Sequence, residues 1–111
     1  MLIRSQNKEI LVNFNVSAGI EIAEGPVKTV ITSYITGCNY LLGEYSTKEK
    51  ALKVLDMIQE AYAKYETLRL TLTGVGGLRA TTMEWEVVRE MEKEIQEKAI
   101  FQMPEDSEVE E

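Results

Sequence analysis

At Ser46 the hydrophobic rhythm of the chain changes from two residues to 3.6, and few architectures accommodate both halves. Before it, Ile10, Val12, Phe14 and Val16 alternate with Leu11, Asn13 and Asn15, the pattern of a strand that buries one face. After it, Ala51, Leu55, Ile58, Tyr62 and Tyr65 recur at i, i+4, i+7, i+11 and i+14, widened by Leu52, Val54 and Ala61. Ser46 with Glu49 three residues on reads as a capping box, so a helix is expected over 47–65 with Ser46 as its N-cap.

The first 45 residues read as a β-meander. Leu2 to Arg4 form a short strand, Asn7-Lys8 a turn, and a second strand runs on to Val16. Ile20 and Ile22 mark a third strand, which Gly25-Pro26 ends because proline has no N–H for a ladder. Val27 to Ile35 and Cys38 to Tyr45 are rich in β-branched and aromatic residues, and Thr36-Gly37 between them predicts a two-residue hairpin.

Beyond the helix, Leu68, Leu70 and Leu72 alternate with Arg69, Thr71 and Thr73, which suggests a strand or irregular segment before the Gly74-Val75-Gly76-Gly77 break. Thr81 or Thr82 caps a second, more polar helix with Trp85, Val88, Met91, Ile95 and Ala99 on one face. Ile100 to Met103 close the chain as a strand able to pair near the first. The expectation is an α+β fold: a curled antiparallel meander of about five strands, packed by one amphipathic helix, with a second C-terminal helix.

A chain of 111 residues suits one core, taken here as residues 1–104. The net charge is −7, but residues 105–111 hold five of the nineteen acids, leaving fourteen acids against twelve bases. The acidity therefore reads as a disordered, solvated tail over 105–111 rather than a binding face, and nothing attracts nucleic acid. A lone cysteine, no basic-then-apolar leader and no long apolar run point to a reducing, cytoplasmic setting without membrane contact.

The chain has no histidine, which removes imidazole acid–base chemistry, histidine triads and histidine metal sites. Cys38 has no basic neighbour to activate it and reads as structural, following the burial tendency of free cysteine. The glycines at 74, 76 and 77 match no phosphate loop: Arg79 stands where a dinucleotide fingerprint needs glycine, and no Gly-Lys-Ser/Thr ending follows. Glu84, Glu86, Glu90, Glu92, Glu94 and Glu97 spread around their helix among Arg89, Lys93 and Lys98, as on a solvated face. No catalytic, cofactor or metal residue is assigned. Tyr34, Tyr40, Tyr45, Tyr62 and Tyr65 suit core packing first; for a partner surface the candidates are Trp85, a large aromatic on a polar helix, with Tyr34 and Tyr40.

Three segments together resemble one family: Arg4-Ser5-Gln6; Leu42-Gly43-Glu44-Tyr45-Ser46-Thr47 followed by Ala51-Leu52-Lys53-Val54-Leu55; and Phe101-Gln102-Met103-Pro104. The family comprises small uncharacterised proteins of Gram-positive Firmicutes genomes and their prophages, with a Leu-Gly-x-Tyr strand-to-helix junction and an aromatic-x-Met-Pro ending. The resemblance implies a bacterial, mobile-element origin, and no activity or ligand comes with it; Leu68 to Thr82 stands outside it as an insertion. The functional expectation is a non-enzymatic interaction module that binds a protein partner or self-associates. The alternative is a small-molecule binder or enzyme with a pocket between sheet and helix, lined by tyrosines and a few carboxylates.

Overall fold

The computed structural model describes residues 1–76 and 85–110, with the side chains of 72–76 and 85 outside the description. Within it the chain has the expected α+β character, and its strands fall into two three-stranded sheets. In the first, β1 (Leu2–Arg4) lies between β2 (Leu11–Asn13), antiparallel, and β6 (Ile100–Gln102), parallel. The second is an antiparallel meander of β3 (Gly19–Glu24), β4 (Thr29–Ile35) and β5 (Cys38–Tyr45) in that order. The single curled sheet expected from the alternation divides after Asn13. There the Asn13 side-chain oxygen accepts from the Asn15 N–H at 2.9 Å and caps a 3₁₀ turn over Phe14–Val16, so a local side-chain bond wins over the alternating pattern.

The β4–β5 hairpin turns at Thr36-Gly37, with φ of 22° and 79°, the two positive values that match the twist of its strands. At the other hairpin the Gly25 N–H donates to the Lys28 carbonyl at 2.8 Å, and this bond sets the phase of the β3–β4 ladder. With Ala23 opposite Val30 and Glu21 opposite Thr32, the odd-numbered residues of β3 bond to β4. The N–H and C=O groups of Ile20, Ile22 and Glu24 therefore point away from the sheet.

α1 runs from Lys48 to Gly76, longer than expected and starting one residue later. Its N-cap is Thr47, whose Oγ1 accepts from the Lys50 N–H at 3.2 Å, while Ser46 is drawn off to Asp106. The segment read as a strand or irregular, Leu68 to Leu72, is helical. Thr67 and Thr71 donate their hydroxyls to the carbonyls of Ala63 and Thr67 one turn back, and Arg69 pairs with Glu66 at 2.9 Å, so the apparent alternation is the helix's own surface. Ala51, Val54 and Ile58 are buried against the meander, with Leu55, Tyr62 and Tyr65 half-buried beside them. α2 (Trp85–Lys98) lies along α1 and leads into β6; its expected caps at Thr81 or Thr82, and Gly77 of the glycine cluster, lie outside the described residues.

The two sheets are clamped by Gln6, Tyr45 and Pro104. The Gln6 amide donates to the carbonyls of Glu44 and Pro104, both at 3.1 Å, and its oxygen accepts from the Glu44 N–H at 2.9 Å. The Tyr45 hydroxyl reaches the same Pro104 carbonyl at 2.8 Å. The acidic end is not a loose tail over its described length. Asp106–Glu108 form a 3₁₀ turn, Val109 is buried in the core, and Asp106 accepts from the Ser46 N–H and hydroxyl and pairs with Lys50 at 3.5 Å. One apolar side chain and a helix start with free donors dock what composition alone assigns to solvent.

Candidate interaction surfaces

The proposed partner residues do not form one patch. Tyr34 lies on the face of the meander turned away from α1, exposed, its hydroxyl accepting from the Gly37 N–H at 3.2 Å. Tyr40 pairs with Ser33, which is fully buried, so it projects on the opposite, helix-facing side at the end of the hairpin. Trp85 opens α2, and its side chain lies outside the described residues. Cys38 is exposed rather than buried, because it opens an outer strand of the meander at the turn. The outward face around Tyr34 also shows Leu41 exposed and Val30 half-exposed, more apolar than the polar outer face usual for an antiparallel sheet.

The second surface is the free edge of β3. No strand among the described residues pairs with it, so the main-chain groups of Ile20, Ile22 and Glu24 lie open. Beside Ile20, a cavity of about 300 Å³ opens between this edge and α1, lined by Phe14, Ile20, Leu55, Ile58, Gln59 and Tyr62. The rings of Phe14 and Tyr62 close one end, 4.6 Å apart between centroids and tilted by 40°. α1 runs antiparallel to β3: Lys48 at its start pairs with Glu24 at 3.1 Å, while Tyr62 further along meets Ile20 at the cavity, and Leu55, Gln59 and Tyr62 line its open side. This is the space between sheet and helix expected for a small-molecule pocket, but it holds one tyrosine and no carboxylate.

A third concavity of about 360 Å³ lies between α1, α2 and β6, with Met57, Ala61, Ile100 and Phe101 as its floor and Glu60, Lys64, Glu97 and Lys98 as its rim. The Glu60–Lys64 pair, at 3.1 Å, is an ordinary exposed i, i+4 bridge.

Among the described residues, two perturbed titrations, Tyr45 and Asp106, sit at the clamp; the other two, Glu66 held low and Arg69 held high, come from their own hydrogen-bonded pair on exposed α1. Burial pushes the Tyr45 hydroxyl well above its ordinary range, helped by Glu105, Asp106 and Glu108. The Ser46 N–H, then its hydroxyl and Lys50, hold Asp106 below the usual carboxylate range. These groups secure a strand-to-helix junction and its docked end. Among the described residues, no three His, Cys, Asp or Glu side chains are placed to hold a metal, and no helix is long and apolar enough to cross a membrane.

Compared with family models, curated proteins and solved structures, the chain matches none of them. The three segments that carry the Firmicutes resemblance meet at the clamp: Gln6 and Tyr45 both donate to the Pro104 carbonyl, and Gln6 also bonds to the Glu44 backbone. What they bring together is architecture. The free edge of β3 escaped sequence reading, because alternation marks a strand but not its place in the sheet order.

Proposed function

We propose that this protein is a non-enzymatic protein-interaction module of the cytoplasm, of the kind encoded in Firmicutes genomes and their prophages, and that it captures an extended segment of a partner. One observation supports the reading above the others: the main-chain groups of Ile20, Ile22 and Glu24, unpaired among the described residues, run along an edge whose Ile20 lines an apolar cavity. Strand addition uses this combination, main-chain bonds for affinity and a side-chain pocket for selectivity. A small apolar ligand fits the cavity less well, since Gln59 and Tyr62 alone bring side-chain polar atoms to fix its orientation.

Panning a displayed library of random peptides on the immobilised full chain tests this. The reading predicts enriched peptides whose binding is lost in Ile22→Pro, which removes an outward N–H at an edge position where proline is tolerated. No enrichment, or peptides that bind Ile22→Pro as well as the parent, contradicts it.

A further inference from the structure

We infer that the segment taken up by the β3 edge is one in which apolar side chains alternate with lysine or arginine, and that it comes from another protein rather than from a second copy of this chain. The inference rests on the interaction reading above and adds the partner's chemistry.

The phase of the ladder decides which faces an added strand presents. Ile20 and Ile22 turn their side chains toward α1, and Ile20 lines the cavity of Phe14, Leu55, Ile58 and Tyr62, so the incoming residues beside them fall on that apolar side and must be apolar to pack there. The alternate residues fall on the outer face beside Glu21 and Ala23. Glu21 is exposed there, opposite the uncharged Thr32, and no cation among the described residues lies within ion-pair distance of it. A basic side chain on the added strand meets this carboxylate as a cross-strand neighbour, the arrangement in which opposite charges attract and like charges repel. Glu24, at the end of the strand, is already engaged by Lys48 at 3.1 Å, so Glu21 is the charge that selects.

The same geometry disfavours self-pairing. Outward main-chain groups sit on Ile20, Ile22 and Glu24, so an antiparallel pairing with a second β3 must oppose these residues to one another. Of the two longest registers, one sets Ile20 against Ile22 of the second copy and brings the two Glu21 side chains face to face. The other sets Ile22 against its own copy and drives Glu24 against Ile20, a carboxylate at the mouth of an apolar cavity. Each copy also brings a net charge of −7.

The test titrates two end-capped nonapeptides, one alternating valine with lysine and one alternating valine with glutamate, into the full-length protein. Calorimetry and amide NMR provide the readouts, and sedimentation gives the oligomeric state. The expected result is binding of the basic peptide to a monomer, with shifts at Ile20, Ile22 and Glu24. Glu21→Lys then weakens that peptide by about tenfold and gives measurable affinity for the acidic one. Ile22→Pro, with its fold checked by circular dichroism, binds neither peptide; Glu21→Lys, a surface change, keeps the test decisive if the proline variant does not fold. Equal binding of both peptides to the parent, lost in Ile22→Pro, overturns the basic-partner inference and leaves the interaction reading standing. Binding of neither, or shifts confined to other surfaces, overturns both. A parent dimer that Ile22→Pro converts to monomer shows the edge occupied by its own copy and overturns the inference as well.

Discussion

Gly43 and Tyr45 sit two residues apart on one face of β5, and the ring of the second lies over the first: a Cβ on Gly43 would stand 3.0 Å from a ring carbon and 3.1 Å from the hydroxyl oxygen. Tyr45 is buried and bonded to the Pro104 carbonyl, so it has nowhere to retreat. Gly43→Ala is therefore expected to cost about 1–3 kcal/mol in denaturant unfolding, an overpacking penalty at an otherwise permissive strand position. Asp106 gives a pH signature. Its folded carboxyl ionises below the ordinary range, so its contribution to stability is complete above the unfolded pKa of about 4 and is lost as pH falls through the lower folded value. Asp106→Asn should accordingly lower the Tm at pH 7, with the gap to the parent narrowing below about pH 4 in thermal scans. At this scale the Leu-Gly-x-Tyr motif was legible but its purpose was not, because the carbonyl that Tyr45 seeks lies 59 residues further on.

Among the elements, α1 shows most clearly how far periodicity reaches. Its stripe was readable from Ala51 to Tyr65 because those side chains meet the sheets, and it faded where the helix runs beyond them beside α2. There Leu68 to Leu72 imitate a strand, since a few alternating residues fit either period. The helix start was displaced by one residue for a tertiary reason: Asp106 takes the Ser46 donors and leaves Thr47 to cap. Thr47→Ala should cost about 1 kcal/mol, the usual loss of an N-cap, read from chemical denaturation. Ser46→Ala should cost less, since the Ser46 N–H still reaches Asp106; a larger loss at Ser46 than at Thr47 would restore Ser46 as the cap.

For the molecule as a whole, the α+β class follows from the change of period, whereas the division into two sheets does not. That division depends on Asn13 capping its own turn and on Gln6 bridging β5 and the chain end, contacts that no local pattern encodes. The docked acidic end was hidden for the same kind of reason: composition counts charges, but Val109 joins the core and Asp106 finds Ser46 and Lys50 more than 50 residues away. What results is a body 59 Å long in which no described strand covers the β3 edge or the adjoining flank of α1. Residue-resolved amide exchange of the free monomer examines that edge most directly. The Glu21 and Ala23 N–H groups, bonded to β4, should exchange slowly, and those of Ile20, Ile22 and Glu24 at rates close to exposed loops. Slow exchange at Ile20, Ile22 and Glu24 equal to that at Glu21 and Ala23 would mean the edge is already covered, and the functional account would be wrong.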